Sequence, residues 1–277
     1  MRILHKTLLA VIMAIASGAV IAGDVPSCYQ AHKLPPTPAP GLELFVLIDQ
    51  TTLLDEPLKR IVTQNVGPML KHGNAFTVGR FSSFSQQHYS EVIASGYLEP
   101  QLSPSDRDST GVKVLKSFDA CLDKQMKFAA GTVWKTMTGA MNEASSDLAK
   151  SDVMASLRDF SARVRQSSAK ERVVLVVSDM LENSSAASFY ASRAVRKIDA
   201  GKELASASKH GLLGDFGGAR VYVIGTGMLA EDAASKKGIY RSPEVMLALS
   251  DFWREYFHAS NADLKELGQP ALLMPVR

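Results

Sequence analysis

Three short stretches carry side chains that could do chemistry together: Asp49-Gln50-Thr51-Thr52, Ser178-Asp179, and Ser151. A hard divalent cation takes oxygen ligands, one or two carboxylates with hydroxyls and waters in a near-octahedral array. Asp49, Thr51, Ser151 and Asp179 would supply two carboxylates and two hydroxyls, which makes them the candidate metal ligands, with Mg2+ or Mn2+ the fitting ions. The same residue types also start helices. Asp49 and Thr51 could cap the first helix, Ser151 a later one, and Ser178 with Asp179 the helix after that. Residue types alone leave both readings open.

The surrounding pattern says what must hold these side chains in place. Leu42–Ile48 (LELFVLI) is a short apolar run that stops at Asp49, and Arg172–Val177 (RVVLVV) stops at Ser178-Asp179. Strands buried on both faces read this way. Asp55 is the expected N-cap of a first helix whose apolar stripe is Leu58, Ile61, Val62, Val66, Met69 and Leu70. Ala75–Phe81 and Tyr89–Tyr97 read as a hairpin, and 100–111 as a polar loop. Two helical stretches are expected around Gly131, the second with Val133, Trp134, Met137 and Met141 on one side. Another opens at Ser151 with Val153, Met154, Leu157, Phe160 and Val164. A further helix should run to about Lys202, followed by a strand at Arg220–Ile224. The last helix starts at Ser242-Pro243-Glu244, with Leu249, Phe252, Trp253, Tyr256 and Phe257 on its apolar face. Ala271–Val276 reads as a terminal strand. This alternation predicts an α/β fold with a mostly parallel sheet, one antiparallel hairpin strand and helices on both faces. In such sheets the functional crevice lies beyond the carboxyl ends of the strands, where Asp49 and Asp179 stand.

The strand ending in DQTTLLD, the hairpin after the first helix, and VVLVVSDMLENS together resemble a von Willebrand factor A domain over about residues 42 to 276. The resemblance implies a Rossmann-like fold, a non-enzymatic protein-binding role of the adhesion or assembly type, and a metal-ion-dependent adhesion site. That site's pattern is Asp-x-Ser-x-Ser, then a Thr, then an Asp. Asp49 matches the first position and Thr51 the first hydroxyl. Leu53 stands where the second Ser belongs, with Thr52 one position off. Ser151, or alternatively Thr110, takes the Thr, and Asp179 the last Asp. A site that has lost one ligand implies weak magnesium-like binding, or a surface kept only for contact with a partner. The Asp-x-Thr-Thr after a buried strand is also similar to haloacid-dehalogenase-type phosphatases, with Asp49 as nucleophile and Ser178 on phosphate. There the general-acid position is Thr51, and Glu231 and Asp232 stand several residues beyond the strand where the magnesium motif should follow.

Composition frames these readings. The chain has 277 residues, 46% hydrophobic and 21% charged, enough for one generous domain and unlike a disordered chain. Residues 1–22, with Arg2 and Lys6 ahead of the uncharged run Thr7–Ala22, read as a signal peptide cleaved before Gly23. The run is short for a membrane span. Residues 23–41, with prolines at 26, 35, 36, 38 and 40, read as an extended leader, and 42–277 as the domain. Losing Arg2 and Lys6 lowers the formal charge from +3 to +1, which gives the domain as a whole no electrostatic reason to seek nucleic acid or an anionic membrane. The expectation is a periplasmic or secreted protein whose partner is another protein, with no membrane span after cleavage. Export permits the only two cysteines, Cys28 and Cys121, to pair. The histidines are scattered without Cys or carboxylate neighbours in a zinc-like motif. Gly214–Gly218 precedes a strand and reads as a turn, and the methionines read as core filling.

Overall fold

A computed structural model describes residues 25–85, 88–145, 151–191, 194–229 and 242–277. The signal-peptide expectation and Glu231 and Asp232 lie outside those residues. The main elements are β1 (Leu42–Asp49), α2 (Glu56–Val66), β2 (Asn74–Ser85), β3 (His88–Tyr97), α4 (Val112–Asn142), α5 (Val153–Gln166), β4 (Glu171–Val177), β7 (Ala219–Ile224), α7 (Pro243–Ala259) and β8 (Ala262–Leu267). Shorter pieces are α1 (Cys28–Ala31), α3 (Pro104–Ser109), the hairpin β5 (Tyr190–Ala191) and β6 (Ala194–Val195), and α6 (Ala200–Lys209).

The six-stranded sheet has the order β3-β2-β1-β4-β7-β8, parallel throughout except for β2 against β3. This is a Rossmann-like α/β fold. Side-chain alternation divides each central strand between two cores. Leu44, Val46 and Ile48 of β1 join Val173, Leu175 and Val177 of β4 beneath α2 and α4. Phe45, Leu47, Val174 and Val176 face α5 and α7 on the other side. Phe252, Trp253, Tyr256 and Phe257 of α7 are fully buried there. The order reverses between β1 and β4, which opens a crevice at their carboxyl ends. Register places Ile48 beside Val177, so Asp49 and Ser178 emerge together at that crevice.

Several elements differ from the sequence expectation. The final strand is β8, not Ala271–Val276. As an edge strand it is half exposed, and ADLKEL alternates where an apolar run was sought. Gly131 does not interrupt α4, because a glycine inside a helix costs only about 1 kcal/mol and the helix is packed along its length by Phe118, Leu122, Ala129, Val133 and Met137. The 100–111 loop contains α3, capped by Ser103, whose hydroxyl accepts from Asp106 N–H. The long helix expected after Asp179 is instead a loop, the small hairpin and α6, whose N-cap Asp199 accepts from Lys202 N–H.

The leader is also more than a spacer. Cys28 and Tyr29 are buried with Leu102, Phe118 and Leu122. Cys28 and Cys121 form a disulfide that joins α1 to α4. The buried Glu99 carboxylate accepts from Cys28 N–H at 2.6 Å, Tyr29 N–H at 3.3 Å and Thr37 Oγ1 at 3.1 Å. Among the described residues no helix is long and apolar enough to cross a membrane.

Candidate functional site

Asp49 leaves the end of β1 on the α5 side and is 1% exposed. One oxygen, Oδ1, accepts from Thr51 N–H at 2.8 Å and from the Thr51 hydroxyl at 2.6 Å, closing a two-residue turn. The other, Oδ2, accepts from Ser178 Oγ at 2.7 Å and Ser151 Oγ at 3.4 Å. The nearby Thr52 hydroxyl also favours the charged form of the same carboxylate. Burial pushes the Asp49 carboxyl above the ordinary range, against these hydrogen bonds, which favour the charged form. Among the described residues no Lys, Arg or His pairs with it. Nor do three His, Cys, Asp or Glu side chains gather anywhere among them in a metal-holding group. Apart from the Thr51 amide, the donors around Asp49 are hydroxyls.

Asp179 stands next along β4's exit, 6% exposed. Its N–H donates to Thr52 Oγ1 at 2.9 Å, which links the two loops through the residue that misses the adhesion-site pattern by one position. Its carboxylate accepts from Leu181 N–H at 2.8 Å and from the Tyr190 hydroxyl at 3.2 Å. The loop between them is tightly held. Met180 has φ +58°, a left-handed conformation that bulky residues rarely adopt, and its N–H donates to Ser178 Oγ at 2.9 Å. Trp253 Nε1 donates to Met180 O at 2.9 Å, and Gly227 N–H to Asp179 O at 2.8 Å. Gly225 (φ +111°) passes so close that a Cβ there would meet Ser178 O at 2.8 Å. One neighbouring group lacks a partner: the buried Thr226 hydroxyl makes no hydrogen bond.

None of Asp49, Thr51, Ser151, Ser178 and Asp179 caps a helix, whereas Asp55 caps α2 as expected, at 2.9 Å from Leu58 N–H. Asp152 rather than Ser151 precedes α5. Asp152 makes no side-chain cap, and Glu182 takes that role from across the site, with Oε2 accepting from Met154 N–H at 2.8 Å. Glu182 is 1% exposed, and burial pushes its carboxyl up to about 7. Ser151 is held against Asn183 by a reciprocal pair of backbone hydrogen bonds at 3.2 and 2.9 Å. Gln50 ties the first loop to α4, donating from Nε2 to Ala140 O at 2.8 Å.

The structure therefore brings Asp49, Thr51 and Ser151 together and sets Asp179 beside them, with Ser178 and Thr52 completing the hydroxyl ring. Thr110 is not part of it. Its hydroxyl donates to Asp106 O, and Asp106 lines a cavity with Gly41 and Gly73 at the amino ends of the strands. Tyr190, Glu182 and Thr226 had no motif to mark them. Leu53 is half-buried and offers no ligand atom. Comparison of the chain with known protein families and with curated proteins finds no match.

Proposed function

We propose that this chain is an exported, non-enzymatic protein-binding module of the von Willebrand factor A type. Its contact centre is the cluster at the carboxyl ends of β1 and β4. The observation that carries this reading is the Asp49 shell: one buried carboxylate at the switch point of the sheet, ringed by hydroxyls from three loops. That donor set suits a hard cation, because a hydroxyl that donates to Asp49 still has lone pairs to offer a metal. Asp49, Thr51, Ser151 and Asp179 are the residues that would hold Mg2+ or Mn2+. Such an ion would neutralise the buried carboxylate and offer an open position to a carboxylate of the partner. The disulfide supports an oxidising compartment, periplasmic or extracellular.

A phosphatase built on Asp49 is less well supported. A nucleophilic carboxylate needs an oxygen free to attack, and both Asp49 oxygens accept hydrogen bonds here. Ser178, cast on phosphate, is bonded directly to Asp49 at 2.7 Å.

The test is thermal melting of the purified protein in increasing magnesium or manganese, beside Asp49→Asn. At a hundredfold excess over Kd the wild type should gain about 2.7 kcal/mol, a rise of roughly 5–10 °C for a domain of this size. Asp49→Asn, which keeps the shape of the side chain, should show no saturable rise. No response in the wild type, or the same response in both proteins, would refute the cation site.

A further inference from the structure

The formal charge of the chain without residues 1–22 is close to zero, yet one face is strongly positive. α4 carries five lysines, Lys113, Lys116, Lys124, Lys127 and Lys135, and all five are exposed. At 3.6 residues per turn they fall in a single sector roughly 100° wide. That sector lies opposite the buried stripe of Phe118, Leu122, Ala129, Val133 and Met137. From Lys113 to Lys135 it runs about 33 Å along the helix. Neither aspartate of α4 lies within it. Asp119 is held by two Arg107 nitrogens at 2.8 Å, and Asp123 stands at the margin. None of the five lysines is in an ion pair with a described residue. Two of the spacings, 113/116 and 124/127, set like charges on adjacent turns, which weakens a helix unless something else favours them. Phe128, 48% exposed, borders the stripe, and Ala120 and Gly131 leave low ground between the lysines.

We propose that this outer face of α4 docks on an anionic phospholipid surface. The stripe is the solvent side of a single helix and is convex across its width. A sheet of headgroups is polyanionic along the whole 33 Å, and Phe128 stands where its ring can enter the headgroup layer. The low net charge does not oppose this, because an interaction screened within about 8 Å responds to the facing charges and not to the total. Each lysine held at such a surface strengthens binding about fivefold.

The test is cosedimentation of the full chain with vesicles of equal phosphatidylglycerol and phosphatidylcholine, against vesicles of phosphatidylcholine alone. The ratio of the two affinities is read, so that apolar residues 7–22 contribute equally to both. Lys116→Gln/Lys124→Gln/Lys127→Gln should lower that ratio by about 100-fold. Lys170→Gln/Lys202→Gln/Lys209→Gln removes the same charge from exposed positions off α4 and should lower it by less than about threefold. A wild-type ratio near one, or equal losses in the two triple variants, would overturn the proposal. So would tighter retention on immobilised polyglutamate than on the anionic vesicles, which would assign the face to an acidic protein.

Discussion

Glu182→Gln should change how stability depends on pH, and the sign can be worked from the structure. The Glu182 carboxyl is buried at the start of α5 and pushed from 4.5 to about 7, chiefly by burial. In the unfolded chain it returns to its ordinary value. A proton therefore favours the folded state, with the full benefit present below pH 4.5 and lost as the pH rises through 7. The difference of about 2.5 pH units corresponds to ~3 kcal/mol at 1.36 kcal/mol per unit. Glutamine cannot ionise, but its carbonyl oxygen can still accept from Met154 N–H. Relative to wild type, the variant should gain about 3 kcal/mol between pH 4.5 and pH 8. Urea unfolding of both proteins across that range gives the difference directly. Asp49, also raised by burial, is present in both proteins and cancels. A flat difference would mean that Glu182 stays ionised in the folded protein. A loss with rising pH would mean that the capping bond to Met154 outweighs burial. Either result would refute the reasoning.

Three further perturbations probe other parts of the molecule. Cys28→Ser/Cys121→Ser opens a loop of 93 residues. It should lower stability by about 4.6 kcal/mol on chain-entropy grounds, and unreduced wild type should show no thiol reactive to labelling. Gly79→Ala places a Cβ at 2.8 Å from the Phe160 ring and 3.3 Å from Glu91 O. It should therefore cost about 1–3 kcal/mol in chemical denaturation, and an unchanged midpoint would show that α5 shifts freely. Leu53→Ser restores the hydroxyl missing from the adhesion-site pattern and should tighten magnesium binding about tenfold, ~1.4 kcal/mol, in the melting assay. Weaker or unchanged binding would place the cation away from residue 53.

The parts of the fold that could be read from sequence are those whose burial is uniform. β1 and β4 are covered on both faces, so their residues are apolar without interruption, and their ends fall where the apolar run stops. The stripes of α2, α5 and α7 repeat at helical spacing because one side of each lies on the sheet. β8 was missed because an edge strand answers to two environments, and Ala262–Leu267 alternates accordingly. The docking of Cys28 and Tyr29 was missed for a different reason. Proline density describes the chain from 35 to 40, whereas the anchor is Glu99, about 70 residues away, and such a contact leaves no local pattern.

The site divides along the same line. Asp49, Thr51, Ser178 and Asp179 were legible because strand ends locate them. Glu182 and Tyr190 were not, because only the fold brings them near. The structure adds a distinction that residue types cannot make. Among the described residues four carboxylates are buried, Asp49, Glu99, Asp179 and Glu182. Glu99 accepts from the Cys28 and Tyr29 amides, from the Ser27 and Thr37 hydroxyls and from Gln125 Nε2, and Glu182 accepts from the Met154 amide. An amide only donates, so those amides tie each carboxylate to the segment it holds, the leader at Glu99 and the start of α5 at Glu182. Asp49 accepts one amide, from Thr51, and otherwise hydroxyls from Thr51, Ser151 and Ser178. A hydroxyl can rotate its proton away and become a ligand, so the Asp49 shell, with hydroxyls from three loops at the carboxyl ends of the strands, can be reused around a cation without moving the backbone. That is a physical reason to look for function at Asp49 and for architecture at Glu99 and Glu182.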